Sequence, residues 1–191
     1  KNLSEITIGS GVTTIGNRAF YGCGGVLNIN SNIPSVSDYE SAPFYNAKLT
    51  TVYLGDSVEI VGGYAFRGCD TLTEVNLGNG VQSIGENAFA YCTGLTSVVI
   101  PDSVAQIGDY IFYECSNLSE VVIGSGVTTI GDRAFYNCNG LVSVYVQATN
   151  PPYLGNYAFS SSNATLYVPK GRLEYYKNNR DWWIFNKIQE F

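Results

Sequence analysis

Apolar side chains recur along this chain with a constant period. Leu or Val opens each repeat, at Leu3, Val26, Leu49, Leu72, Leu95, Leu118 and Leu141. A constant period of about 23 residues is typical of a solenoid, in which each repeat forms one coil and successive coils stack. One coil cannot bury its own apolar face, so its stability must come from contacts with the neighbouring coils.

The fifth repeat shows how one coil is encoded. Val98 and Ile100 alternate with outward positions, which is the two-residue period of a β-strand. Pro101 follows, and the strand is expected to end there because Pro cannot donate a ladder hydrogen bond. Phe112 and Cys115 close the coil at a spacing that suits one or two helical turns. We therefore predict an α/β repeat solenoid of 23-residue coils, each with one short strand and one short helical or 3₁₀ turn.

The pattern divides the chain into a repeat array and a cap. Residues 1–165 are predicted to form seven coils, and residues 166–191 a C-terminal cap with one strand and one short helix. The second repeat is degenerate, with Leu27 and Ile29 in place of the usual strand pair.

The two ends of the chain are expected to differ. A helix is expected from about residue 172 to residue 179, and Trp182 and Trp183 are expected to pack within the cap, since an open solenoid end exposes its core. Leu3 begins a repeat with no cap ahead of it, so we expect the chain to be a piece of a longer protein.

Two motifs carry a resemblance to a known family. The run L-x-x-V-x-I-x-x-x-V-x-x-I-G-x-x-A-F-x-x-C closely resembles the BspA-like (Treponema-type) leucine-rich repeat of bacterial surface proteins. The tail, A-T-L-Y-V-P-K-G over 164–171 and the aromatic residues after it, looks like the C-terminal cap of Bacteroides-type members. The resemblance implies a leucine-rich repeat fold, a location at the cell surface or outside the cell, and a role in adhesion or recognition.

Charge and hydropathy exclude several partner classes. The chain has ten basic and sixteen acidic residues, for a net charge of −6, so it lacks the positive patch that nucleic acid or an anionic membrane requires. No apolar run approaches the roughly 20 residues that a membrane-spanning helix needs, and we expect no transmembrane segment. We also expect a monomer without a cofactor.

The sequence offers little for catalysis. The chain contains no His, which removes Ser–His and Cys–His nucleophiles and imidazole metal ligands. Glu74 and Glu120 are expected on the same strand face two coils apart, about 10 Å by strand spacing, which approaches the separation found in inverting glycosidases. Nothing in the pattern removes either carboxylate from water, so we interpret both as surface residues and predict no enzyme.

The five cysteines occupy one position of the repeat, three places after the Phe. They are Cys23, Cys69, Cys92, Cys115 and Cys138. This is the periodicity of core residues, and Cys packs as a small buried hydrophobe. A disulfide or a thiolate metal site is the alternative, but the count is odd and no CxxC is present. We predict buried free thiols.

Polar residues also recur at two positions of the coil, after the strand and before the Ala-Phe pair. The members are Ser10, Asp56, Asn79, Asp102 and Ser125, and Asn17, Glu86, Asp109 and Asp132. Such ladders could bind Ca²⁺, but the same residue types are favoured at strand-ending turns and at the start of helical turns. We predict no metal site.

The outward side chains of the strands are the candidate recognition surface, here called the strand face. Val99 and Val122 should be lateral neighbours, with Tyr145 beside Val122, and this makes an apolar stripe that the core does not need. The alternative is that Val and Tyr simply favour strands. The candidate binding residues are Tyr53, Glu74, Asn76, Val99, Glu120, Val122 and Tyr145.

We predict a non-enzymatic surface module that recognises a protein of a host or a neighbouring cell through this face. One alternative is a carbohydrate-binding module, because Tyr rings and acidic or amide side chains also suit glycans. The other is a passive spacer that holds a further part of a larger surface protein.

Overall fold

The computed structural model describes residues 3–160 and 162–191, which form one rod of stacked coils. In chain order the strands are β1 (Glu5–Ile8), β2 (Gly24–Ile29), β3 (Lys48–Leu54), β4 (Ile60–Val61), β5 (Glu74–Asn76), β6 (Ser83–Ile84), β7 (Ser97–Ile100), β8 (Gln106–Ile107), β9 (Glu120–Ile123), β10 (Thr129–Ile130), β11 (Ser143–Val146), β12 (Tyr153–Leu154), β13 (Ser162–Val168) and β14 (Phe185–Glu190). The helical elements are α1 (Leu173–Lys177) and two 3₁₀ segments, Tyr39–Ser41 and Arg180–Ile184. None of these helices is long and apolar enough to cross a membrane.

Two sides of the rod are parallel β-sheets and the third consists of turns. The first side carries the strand face and holds two sheets, one of β1, β2, β3 and β5, the other of β7, β9, β11, β13 and β14. The second side is a narrow sheet of β4, β6, β8, β10 and β12. Parallel pairing follows from stacking, since each coil runs in the same sense as the one before it.

Turns occupy the position where a helical turn in each coil was predicted, and this part of the prediction is corrected. In the third coil Tyr64 has a positive φ of 62°, which interrupts any helix. The N–H of Arg67 bonds within the coil to Tyr64, whereas the N–H of Phe66 bonds to the carbonyl of Ala88 in the next coil. The amides thus alternate between local turns and the neighbouring coil, and we call this side of the rod the turn side.

The coils depart from a constant length at both ends of the array. Ile6 pairs with Leu27, which closes a coil shorter than the average, and Leu27 pairs with Val52, which closes a longer one. The predicted replacement of the second strand pair by Leu27 and Ile29 is confirmed, because Ile29 pairs with Leu54. Val26 does not open that coil, however, since the register partner of Leu49 is Gly25 and the register shifts between Gly25 and Val26.

A stack of seven phenylalanine rings runs along the core, one ring in each coil. The members are Phe20, Phe44, Phe66, Phe89, Phe112, Phe135 and Phe159. Neighbouring centroids are 4.9 to 5.5 Å apart and the rings are tilted by at most 15°. This spacing is favourable for offset aromatic stacking, and it follows from placing one ring per coil at the strand separation.

The C-terminal elements cover the end of this stack. Trp182 is fully buried against Phe159 and Phe185, and its indole N–H donates to the carbonyl of Pro152 at 2.9 Å. Trp183, which was also expected to pack, is 60% exposed. The sequence did not predict β14, which adds a further parallel strand beyond β13.

Candidate functional site

The predicted apolar stripe is present in the register of the strand face. Val99 of β7 pairs with Val122 of β9, and Val122 pairs with Tyr145 of β11. The stripe continues into β13, where Tyr145 pairs with Tyr167 and the two rings stack with centroids 4.5 Å apart. The ring of Phe191 makes an edge contact with the ring of Tyr145, and their centroids are 6.0 Å apart. The predicted neighbour relationships of Val99, Val122 and Tyr145 are therefore confirmed.

Tyr167 and Phe191 belong to this stripe but were missed in the sequence. The tail departs from the 23-residue period, so the register partner of Tyr145 comes one position earlier than the repeat would place it. The alternation of Ala164, Leu166 and Val168, all buried, with Tyr167 between them is the signal that could have identified it.

The polar candidates lie mostly at the other end of the face. Tyr53 of β3 pairs with Asn76 of β5, and Thr51 pairs with Glu74. Tyr53 is 39% exposed, and Glu74 and Asn76 are exposed as well. Together they form a polar patch with one aromatic ring, separate from the Val-Tyr stripe.

The face is divided between these two groups, because β5 and β7 belong to different sheets. Gly55, Gly124 and Gln147 each follow a strand and donate their N–H to the strand of the preceding coil. Pro101 occupies the same position after β7 and has no N–H to give, so one ladder hydrogen bond to β5 is impossible. The phenylalanine stack is also at its widest here, 5.5 Å between Phe89 and Phe112.

A cleft of about 500 Å³ lies where the sheet divides. Glu74 and Asn76 line one side, Val99 lines the other, and Asp102 and Gln147 lie among its polar walls. Three of the seven predicted binding residues therefore meet at one concave feature. Gln147 was not predicted, because it reaches the cleft only across the coil that carries Gly124 in the corresponding position.

The two carboxylates considered for catalysis lie apart on open strands. Glu74 has Thr51 as its register partner, and Glu120 has Ser97 on one side and Ser143 on the other. Both glutamates are exposed. An exposed carboxylate flanked by hydroxyl groups can accept hydrogen bonds from a partner, and this is the polar chemistry available on the face.

Four of the five cysteines are buried core residues, as predicted, and Cys23 is the exception. Cys69, Cys92, Cys115 and Cys138 are buried and Cys23 is half-buried, all as free thiols. Burial raises the pKa of Cys69 and of Cys138 to about 12 and raises the pKa of Cys92 and Cys115 well above the ordinary thiol value. These four thiols are therefore unavailable as nucleophiles.

The polar ladders hold neighbouring coils together. Asp102 Oδ1 accepts the N–H of Ser125 at 2.6 Å, and Asp109 Oδ1 accepts the N–H of Asp132 at 2.8 Å. These acceptors satisfy turn amides that the coil itself leaves unpaired. Within residues 3–160 and 162–191, no group of three or more His, Cys, Asp or Glu side chains is placed to hold a metal ion.

Similarity to solved structures agrees with this architecture. The chain is similar to a leucine-rich cell surface protein from Faecalibacterium prausnitzii, with 26% identity and a TM-score of 0.56, over 75% of this chain and 48% of that one. It is also similar to the pneumococcal vaccine antigen PcpA, with 15% identity and a TM-score of 0.53, over 100% of this chain and 80% of that one. A leucine-rich repeat protein of Treponema pallidum matches with 24% identity and a TM-score of 0.48, over 80% and 73% of the two chains.

The chain spans about half the length of the Faecalibacterium protein. No curated protein sequence matches this chain. The family model described as the BspA type leucine-rich repeat region matches in six copies, over residues 1–53 and 37–166. Because these matches cover most of the sequence, the protein belongs to the BspA-type leucine-rich repeat family.

Proposed function

We propose that this protein is a non-enzymatic recognition module of a bacterial surface protein and that it binds a protein of a host or a neighbouring cell through the strand face. The observation that supports this most is the aromatic and aliphatic stripe from Val99 through Val122 and Tyr145 to Tyr167. Val99 is 58% exposed, although the core on the opposite side of its strand is already complete. Contiguous apolar surface of this kind is typical of partner sites.

The composition of the face suits a protein interface. Tyr side chains and aliphatic anchors are enriched at the centres of interfaces, where polar groups at the rim supply specificity. Here Tyr145 and Val122 would be the anchors, while Glu74, Asn76 and Glu120 would supply hydrogen-bond acceptors. The net charge of −6 favours a partner with basic groups.

A surface location is part of the proposal. It is supported by family membership and by the Faecalibacterium relative, which is described as a cell surface protein. Staining of intact cells of the native host with an antibody against this protein tests it, and a signal that appears only after lysis would contradict it.

The binding experiment compares two surface variants with the unmodified protein. Val99→Asp, Val122→Asp and Tyr145→Ala together alter the strand face. A matched control with Ile60→Asp and Tyr153→Ala alters residues of the narrow sheet, which are 43% and 64% exposed. Thermal melts confirm that both variants are folded before surface binding to extracellular-matrix proteins and mucin is measured.

We expect saturable binding that falls at least about tenfold, or about 1.4 kcal/mol, in the strand-face variant and stays unchanged in the control. Equal binding by both variants would place the interface elsewhere on the rod. Absence of saturable binding by the unmodified protein would favour the spacer function over recognition.

A further inference from the structure

The turn side carries tyrosines along much of its length, and three arginines lie among them. Arg18 lies over the rings of Tyr21 and Tyr45, and it pairs with Glu40 at 2.7 Å. Arg133 lies over Tyr rings as well and donates to the hydroxyl of Tyr110. Each of these two guanidinium groups therefore has a hydrogen-bond partner within the protein.

Arg67 has the same aromatic setting but no such partner. Its guanidinium carbon is 4.8 Å from the ring centroid of Tyr39 and 4.5 Å from that of Tyr91, so two rings flank it. Its side chain donates no hydrogen bond to any residue within 3–160 or 162–191, and its Nε is buried without a partner. An unpaired buried donor is costly in a native protein, so the protein itself leaves part of the hydrogen-bonding capacity of Arg67 unused.

Arg67 opens onto a pocket of about 450 Å³ on the turn side. The walls include the rings of Tyr39, Tyr45 and Tyr91, and the polar side chains of Asn46, Asp70 and Thr93. This volume lies within the usual range for pockets that bind small molecules.

The charge of Asp70 beside the pocket is balanced within the protein. Lys48 Nζ contacts both carboxylate oxygens of Asp70, at 2.7 and 2.8 Å. Among the described residues, Arg67 is therefore the cation of this pocket that has no carboxylate of its own. An anionic group can bind to it without displacing an existing ion pair.

We propose that this pocket binds a sugar residue that carries a carboxylate, such as a nonulosonic or uronic acid at the end of a glycan. The planar guanidinium of Arg67, held between Tyr39 and Tyr91, would donate a bidentate pair of hydrogen bonds to the carboxylate. The Tyr45 ring offers a flat surface for the apolar face of a pyranose. Thr93 and Asp70 would bond to the sugar hydroxyl groups.

An acidic peptide fits the same pocket less well. Its carboxylate would satisfy Arg67, but a peptide brings fewer hydroxyl donors to Asp70 than a pyranose does. A sugar acid combines one carboxylate with several hydroxyl donors, which matches one guanidinium beside one acceptor. This site lies on a different side of the rod from the strand face. Binding of a sugar here therefore does not depend on the function proposed for that face.

The test is an NMR titration with the unmodified protein and three related sugars. Sialyllactose carries the carboxylate, its methyl ester removes the negative charge, and lactose lacks the acidic residue. Glucuronic acid oligosaccharide and an acidic peptide complete the panel. We expect saturable shifts around Tyr91 and Thr93 with an acidic sugar, at least about tenfold weaker binding of the ester or lactose, and weaker binding at high salt.

Variants assign the effect to Arg67. Arg67→Gln should weaken acidic-sugar binding at least about tenfold, whereas the matched control Arg133→Gln, which changes an arginine that already donates to Tyr110 away from this pocket, should leave it unchanged. If Arg67→Gln does not fold, the comparison of acid with ester on the unmodified protein decides. The proposal is overturned if neither acidic sugar binds, if ester and acid bind equally, or if only the acidic peptide binds through Arg67.

Discussion

The thiol of Cys92 donates a hydrogen bond to the carbonyl oxygen of Phe66 in the preceding coil, at an Sγ–O distance of 3.2 Å. The same bond recurs in the pairs Cys69–Phe44, Cys115–Phe89 and Cys138–Phe112. Each thiol is therefore a protonated donor that links two coils beside the phenylalanine stack. A thiolate in this position would lose the bond and face a carbonyl oxygen in a buried site.

This arrangement predicts selective labelling of the cysteines. With a thiol-specific reagent at pH 8, we expect at most one equivalent to react in the folded protein, at the half-buried Cys23. In denaturant, all five should react. Mass spectrometry of digested protein identifies the labelled site, and rapid labelling of Cys92 or Cys115 in the folded state would contradict the buried ladder.

The raised thiol pKa values predict a loss of stability at alkaline pH. The folded values for Cys69 and Cys138 are about 12, above the ordinary value of 9.0, so the folded protein holds these protons more tightly than the unfolded chain. The stability from this source is complete below about pH 9 and declines as the pH rises toward 12. Each such thiol lowers the free energy of unfolding by about 1.4 kcal/mol for every pH unit within that interval.

Urea unfolding at pH 8, 9 and 10 measures this decline. A Cys92→Ala/Cys115→Ala variant has two fewer of these groups, so its free energy of unfolding should fall less steeply between pH 9 and 10 than that of the unmodified protein. Tyr176→Phe is a needed comparison, since burial also raises the pKa of that phenol. Identical slopes for the unmodified protein and the double Cys variant would refute the thiol contribution.

Truncation of the two adjacent tryptophans is expected to lower stability by very different amounts. Trp182→Ala removes a fully buried ring from the end of the phenylalanine stack and should lower the free energy of unfolding by about 3 to 5 kcal/mol. Trp183→Ala removes a ring that is 60% exposed and should cost less than about 1 kcal/mol. Denaturant melts compare the two, and similar losses would mean that Trp183 also supports the cap.

Glycines between coils predict a steric effect of one added methyl group. A Cβ at Gly126 would overlap the backbone carbonyl oxygen of Asp102 in the preceding coil, so Gly126→Ala should force the coils apart and cost about 1 to 3 kcal/mol. Gly9→Ala is the control, because nothing lies within 4 Å of a Cβ there. Thermal melts should show a lower Tm for Gly126→Ala and an unchanged Tm for Gly9→Ala.

The divided sheet predicts uneven protection of backbone amides. Gly124 donates to the carbonyl of Ile100, so the N–H and C=O groups of the even-numbered residues of β7 point toward β9 and those of the odd-numbered residues point toward β5. Since β5 and β7 are not paired, the amide of Val99 should exchange with solvent faster than that of Val122, which lies in a continuous ladder. Equal protection in hydrogen exchange by NMR would mean that the cleft is closed in solution.

The sequence by itself determined the stacking and the content of the strand face. A constant period places equivalent residues at equivalent points of successive coils, so Val99, Val122 and Tyr145 had to be neighbours once the period was recognised. The burial of the cysteines followed from the same periodicity. These features depend on apolar spacing, which is written locally in every repeat.

Tertiary structure decided whether the third side of each coil is helical. Ile111, Phe112 and Cys115 suit a helical turn and a series of β-turns equally well by spacing. The choice depends on which carbonyl groups accept the amide hydrogen bonds. The N–H of Phe112 donates to the carbonyl of Ala134 in the next coil and not to a carbonyl of its own coil. No local sequence pattern indicates that an amide bonds to a segment one full coil further along the chain.

The division of the strand face and the setting of Arg67 also required the folded chain. Pro101 indicated the end of a strand, but only the assembled sheets reveal that β5 lacks a donor opposite it. Arg67 directly follows Phe66, whereas Arg18 lies two positions before Phe20, and neither position indicates that Arg18 pairs with Glu40 while no carboxylate of the described residues pairs with Arg67. Contacts between coils depend on register, and the unequal lengths of the first, second and last coils shift that register in ways the average period conceals.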